Sequence, residues 1–248
     1  MSRWRRALLP GRWDELRGLF ESFAAAGYRI VGLEDWVGEP AGSRPPGREL
    51  VVRFDVDQHP RSARRVLRLH RELGLSPGTW YLRWRTAEPR LVDALRAAGH
   101  GVGLHFETLT RRALRTGRAP GPGDVEACRE ELLREIALFR ERFGPLRSIC
   151  AHGDTRVPGV RNLDLVDDAL LRRAEVAFEA NLAIPSPLVR GRLTDRPAGR
   201  GWSKGVTPEE LIERGTTPIA CLLHPNNWAA PLAVRLDMLV RRRSDEPG

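Results

Sequence analysis

The spacing of apolar residues along this chain switches repeatedly between the three-to-four period of a helix and the short apolar runs of a strand. Leu16, Leu19, Phe20 and Phe23 make a helical stripe over residues 13–27, which Gly27 can close as a C-cap. Residues 28–33 then predict a short strand, and 49–57 (ELVVRFDVD) a buried one that ends in two carboxylates. A helix over 61–73 follows, with Val66, Leu69 and Leu73 on one face. The alternation continues with a strand at 79–84, a helix at 89–98 ending at Gly99, and a strand at 102–106.

Residues 124–143 form the longest periodic segment, with Leu132, Leu133, Ile136, Phe139 and Phe143 on one stripe and Asp124 as the expected N-cap. A strand at 148–152, a helix at 163–173 and a strand at 175–182 come next. Thr207, Pro208, Glu209 and Glu210 spell a capping box with proline at the first helical position, opening a helix that ends at Gly215. The chain closes with a strand at 218–223 and a helix at 232–241. Strands separated by single helices imply a parallel α/β sheet, and this many repeats favour a closed or nearly closed barrel over an open doubly wound sheet.

Length and composition fit one such unit: 248 residues at 41% hydrophobic content can bury a single sizeable core. Residues 1–248 therefore read as one catalytic domain, with the helix, strand and loop of 1–48 packed on the barrel. The Pro/Gly-rich stretches at 39–47, 119–123 and 184–201 read as loops. No secretory h-region and no run of 18 apolar residues is visible, so a soluble, cytoplasmic protein without a membrane partner is expected. Cys128, Cys150 and Cys221 have no C-x-x-C spacing and read as small buried apolar residues.

The net charge of +9 would ordinarily suggest a polyanionic partner. Of 41 basic residues, however, only Lys204 is lysine, and the arginines are spread through every segment. The clusters at Arg3, Arg5 and Arg6 and at 241–243 read as solvated tails. Nucleic acid is not the expected partner; a small molecule or saccharide is, with homo-oligomerisation left open.

Chemistry enters through the strand ends. Asp55 and Asp57, His105 and Glu107, His152 and Asp154, and His224 each follow a predicted strand, which in a parallel barrel is the catalytic rim. Asp55 and Asp57 are two apart on an extended segment and so share a face. Two carboxylates that close keep their charges cheaply only beside a cation. An aspartate with His105 or His152 gives the mixed N/O set of zinc or a neighbouring first-row metal, and the other carboxylate can take a proton from water. The competing reading makes D-V-D a helix cap and the histidines loop residues.

Several segments, in order, are similar to the polysaccharide deacetylases of the NodB-homology type, carbohydrate esterase family 4, especially their cytoplasmic D-V-D subgroup. These are 27–36 (GYRIVGLEDW), RFDVD at 53–57, GHGVGLHFE at 99–107, AHGD at 151–154, LTDRPAGRGW at 193–202 and LLHPNNW at 222–228. The resemblance implies a distorted (β/α) barrel, often seven-stranded, and a divalent metal, zinc first, with cobalt, nickel or iron as the other choices. It implies Asp55 as catalytic base, Asp57 as metal ligand, and His224 as general acid oriented by Asp195. The family's second metal-binding histidine would fall at Leu109, which cannot ligate. His152 is the expected replacement, with Glu107, His59, or a weak or absent metal as the alternatives. The arginine and proline of the usual third motif are also missing.

Among the remaining candidates, Arg85 is preferred over Arg83 as a binder of an anionic or carbonyl group, with Glu107 and Asp154 beside it. Trp84, Trp202 and Trp228 could stack on a sugar or lie buried. His70 is expected on the surface and His100 in a solvated turn. The expected reaction is hydrolysis of an N-acyl group, N-acetyl first, on an amino sugar or sugar-like metabolite. A metal-independent amidohydrolase of a cyclic amide or ureide and a non-catalytic carbohydrate-binding barrel are the alternatives.

Overall fold

Strand β2 (Arg48–Val56) organises the sheet because both of its edges are fully used. In the computed structural model, which describes residues 12–40, 42, 47–154, 156–184, 188–196, 201–230 and 232, β1 (Tyr28–Gly32) pairs with the first half of β2. Strand β3 (Thr79–Leu82) takes the second half of the same edge, from Arg53 to Val56. The opposite edge belongs to β8 (Ile219–Leu223). Outward from β3 lie β4 (Gly101–Phe106), β5 (Ser148–Ala151) and the two-residue β6 (Phe178–Glu179); outward from β8 lies β7 (Gly191–Thr194).

All these pairings are parallel, and the path β6-β5-β4-β3-β2-β8-β7 contains seven strands, with β1 off it. No pairing joins β6 to β7 among the described residues, so the barrel is distorted and open at that seam. The seventh strand on the path is β7, which lies inside the Pro/Gly-rich stretch expected to be a loop. Its pairing is set by β8, not by its own short sequence.

The helices are α1 (Trp13–Ala25), α2 (Leu33–Gly38), α3 (Pro60–Glu72), α4 (Pro89–Ala97) and α5 (Thr108–Thr116). Then come α6 (Pro122–Phe143), α7 (Asp168–Arg173), α8 (Pro208–Glu213) and α9 (Pro225–Ala229). Short α2, α5 and α9 carry too few periodic positions to be read from sequence. The helix expected over 163–173 divides into a 3-10 turn at Asn162–Leu165 and α7, because Val166 and Asp167 are extended and Asp167 caps α7 by accepting from the Leu170 N–H. Helix α6 begins earlier than expected, at Pro122. Asp124 sits in its first turn and reaches back to accept from the Gly121 N–H at 3.1 Å, so it caps from inside the helix. The helix expected at 232–241 lies outside the described residues except for Leu232.

Two-residue alternation along β2 sorts its side chains. Leu50, Val52, Phe54 and Val56 join the large core under the helices, whereas Val51 packs into the barrel interior with Tyr81, Cys150 and Ala220. The interior row of β2 therefore runs Glu49, Val51, Arg53, Asp55, Asp57. On β4 the matching row carries Gly103 below His105. A Cβ at Gly103 would come within 2.5 Å of the Ser148 carbonyl and 2.7 Å of the Tyr81 ring, so only glycine fits there.

Two histidines lie elsewhere than expected. His70, only 2% exposed, packs edge-on against Phe20 and Phe54. It is four residues after Val66 and so shares that helix's inward stripe despite flanking arginines. His100 is buried too, its Nδ1 accepting from the Gly78 N–H at 2.7 Å. The three cysteines are buried and free, as expected.

Candidate active site

The β2 row delivers Asp55 and Asp57 to one rim, β4 delivers His105, and the segment after β5 delivers His152. Asp57 Oδ1 lies 3.3 Å from His105 Nε2 and 3.6 Å from His152 Nε2. The two imidazole rings meet edge to face with centroids 5.0 Å apart. Asp55 Oδ2 is 3.6 Å from the same His105 Nε2. His105 is oriented from behind by its Nδ1 contact with the Cys150 carbonyl at 3.0 Å, which leaves Nε2 free to face the carboxylates.

These groups converge without satisfying one another. Asp57 Oδ1 and Asp55 Oδ1 are buried with no hydrogen-bond partner, while His152 Nδ1 turns away toward Asp154, 3.8 Å off. Buried polar atoms are rarely left so, and orphaned carboxylate oxygens facing imidazole nitrogens are what a cation would complete. Asp57, His105 and His152 bring one ligand atom each to within 4.8 Å of the others, a mixed N/O donor set that fits a divalent first-row metal. Burial pushes the Asp57 carboxyl up, but His105, His152 and His224 more than reverse this and hold it well below the usual carboxylate range. Burial lowers His152 against the opposing pull of Asp57, which favours the neutral, ligating imidazole.

Leu109, where the resemblance would place a second histidine, is 3% exposed and packs in the outer core. His152 instead reaches the cluster from the next strand. Its backbone N–H donates to the Phe106 carbonyl, and its carbonyl accepts from Asn162 Nδ2 at 2.8 Å. His59 serves as the residue preceding α3 and belongs to none of the convergent ligand groups among the described residues.

On the far side stands His224. Asp195, buried at the end of β7, accepts from the His224 backbone N–H at 2.9 Å and sits 2.7 Å from its Nδ1. That contact fixes the tautomer, so Nε2 faces the cavity, 3.7 Å from Asp57 Oδ2. Burial would lower His224, but Asp195 first, then Asp57 and Asp55, outweigh it and raise its pKa to about 9. The cavity holding these groups has a volume of about 510 Å³ and is also lined by Arg53, Asn181, Arg161 and Leu222.

The structure redistributes the other candidates. Arg83, not Arg85, points inward: it is 4% exposed and ion-paired with Glu107. Arg85 is exposed and clamps the Asp57 carbonyl from the rim, with Nε at 3.1 Å and Nη2 at 2.9 Å. The register of β3 ends at Leu82, and the turn beyond it decided which arginine entered. Glu107 and Asp154 are both engaged by Arg156, which tightens the rim. Trp228 is 2% exposed and donates its Nε1–H to Asp195 Oδ2 at 2.6 Å, so it orients the dyad and presents no face to a sugar. Trp202 leans on Trp228 with ring centroids 5.7 Å apart. Trp84 packs against Phe139 and Phe143.

Sequence reading passed over Arg53 and Asn181. Arg53 crosses the barrel interior, its Nη2 donating to Asp55 Oδ2 at 3.2 Å and to Asn181 Oδ1 at 2.9 Å. Asn181 is held in turn by the buried Glu179. A charged residue on the inward face of an apolar strand, two before Asp55, was the available signal.

No protein-family profile matches the sequence, and no curated protein does. Three solved structures are similar in chain path. A mutant of BA3943, described as a CE4 family pseudoenzyme with restored enzymatic activity, aligns at 12% identity and a TM-score of 0.45. That alignment covers 82% of this chain, which spans 64% of the other's length. IcaB from Ammonifex degensii aligns at 17% identity and a TM-score of 0.48, covering 92% of this chain and 93% of its own. The Bc1960 peptidoglycan N-acetylglucosamine deacetylase, solved with 4-naphthalen-1-yl-N-oxidanyl-benzamide, aligns at 12% identity and a TM-score of 0.44 over 90% of both chains.

Proposed function

We propose that this chain is a metal-dependent hydrolase that removes an N-acyl group, N-acetyl first, from an amino sugar or a sugar-like small metabolite. The observation that carries the reading is the opposition, across Asp57, of the His105 and His152 nitrogens to a His224 whose Nδ1 is held by Asp195. A metal site facing an oriented acid is what cleavage of an unactivated amide requires, because the nitrogen leaves only when protonated.

Asp57, His105 and His152 would hold the cation, with zinc the best match to a mixed O/N set. When bound, it supplies Lewis acidity to the acyl oxygen and the attacking water. Asp55 takes a proton from that water at Oδ1, its partnerless oxygen, while Arg53 holds Oδ2. His224 gives a proton from Nε2 to the departing amine, and Asp195 stabilises the imidazolium. Arg156, exposed and ion-paired with Asp154 at the cavity's edge, stands where the rest of the substrate would lie, whereas Arg83 is buried against Glu107.

The test is acyl release from a panel of N-acetylated sugars and nucleotide sugars, with metal content measured on the same protein. Turnover that chelation leaves intact would reassign the chain to metal-independent amide hydrolysis. Saccharide binding without any turnover would make it a binding barrel.

A further inference from the structure

Cys150 lies directly beneath the candidate metal centre. It pairs in register with His105 across β4 and β5 and its side chain points into the barrel, two positions before His152. The thiol is fully buried, and its contacts are long: 3.8 Å from Asn181 Nδ2 and 3.7 Å to the Ala151 carbonyl. Asp55, His105 and Cys150 each place a ligand atom within 4.8 Å of the other two, and all three residues are buried. Asp55 spends one oxygen on Arg53, while Oδ1 is buried without a partner.

This group differs in chemistry from Asp57, His105 and His152. It offers oxygen, nitrogen and sulfur, the donor set that draws thiophilic cations away from sites of harder ligands. A carboxylate and a thiolate match the charge of a dication, and the nearby Arg53 and Asp57 offset each other. The two groups also share His105, whose Nε2 can serve one cation at a time.

We propose that Asp55, His105 and Cys150 form a second, inner metal site, selective for thiophilic divalent cations such as cadmium, and that it excludes the outer site when filled. Binding exchanges the Cys150 S–H bond for a sulfur–metal bond, and the thiol proton leaves to solvent without any redox change. Filling the inner site would remove both the base and one ligand of the outer site, so these cations would inhibit. That last consequence rests on the function proposed above; the site itself does not.

The experiment titrates metal-stripped full-length protein with cadmium chloride and follows the ultraviolet charge-transfer absorption of a thiolate–cadmium bond. The band is expected in the wild type, in Cys128→Ser and in Cys221→Ser, and is expected to vanish in Cys150→Ser. Asp55→Asn should weaken cadmium binding by roughly tenfold or more, by loss of one anionic donor. A wild type without the band, or a band that survives Cys150→Ser, would overturn the site. Should Cys150→Ser not fold, cadmium NMR of the wild type decides: a resonance of mixed sulfur, nitrogen and oxygen ligation supports the proposal, and one without sulfur defeats it. None of these readouts needs turnover, so failure of the acyl-release assay would count against the hydrolase reading alone.

Discussion

Asp195 Oδ1 lies 2.7 Å from His224 Nδ1, while Asp195 Oδ2 accepts both the His224 backbone N–H and the Trp228 indole N–H. One carboxylate thus sets the ring's position, its tautomer and its charge. Trp228, which shields the carboxylate from water, strengthens all three effects.

The first prediction concerns that dyad. Asp195→Asn keeps the shape but removes the charge that favours imidazolium, so kcat should fall by about 10²- to 10³-fold with a smaller change in KM. Steady-state kinetics with a hydrolysed substrate would check it. An unchanged kcat would remove His224 from the role of acid.

Arg53 provides the second. It is buried between Asp55 and Asn181, so Arg53→Met leaves the Asp55 carboxylate buried without its cation, at a cost of about 3 kcal/mol in denaturant unfolding. Arg53→Lys should recover part of both stability and kcat, since it restores charge but not the planar fork. Equal stability of the Met variant and the wild type would show that the pair contributes nothing net.

The departure at Leu109 gives a third. Under the proposed function, His152→Ala should lose metal binding and turnover together, whereas Leu109→His should add neither. Residue 109 faces the outer core, and an imidazole there is expected to destabilise by about 2 kcal/mol through burial of an unpaired polar group. Metal analysis and thermal unfolding of both variants decide this. Tighter metal binding by Leu109→His would mean that the first turn of α5 adjusts to the ligand.

A fourth follows from His70. Burial first, then the neighbouring His100, lower its pKa to about 3, against about 6.5 in an unfolded chain. Below that unfolded value the unfolded state binds the extra proton, so stability present at neutral pH is lost as pH falls from about 6.5 toward 3. At pH 5 the loss should reach about 2 kcal/mol. His70→Leu removes the group, and its unfolding free energy should drop by about that much less than the wild type's between pH 7 and pH 5. Parallel curves for the two proteins would refute the assignment.

The sequence by itself determined which candidate residues stand at strand ends. Apolar runs ending in Asp55 and Asp57, His105, His152 and His224 mark strand ends, and backbone geometry alone puts Asp55 and Asp57, two apart, on one face. The parallel barrel, its long α6 and the Thr207 capping box were legible for the same local reason. What only the tertiary structure decided is the contact of Arg53 with Asn181 and the distances at which residues far apart in the chain meet: the pairing of Asp195 with His224 and the place of His152 were implied by the family resemblance, but their separation from their partners comes from the fold. The inward turn of Arg83 over Arg85, the sealing of Trp228 and the pairing of β7 belong with them. Each depends on strand register and on how nearly the barrel closes, quantities fixed by packing across the sheet and written in no single segment.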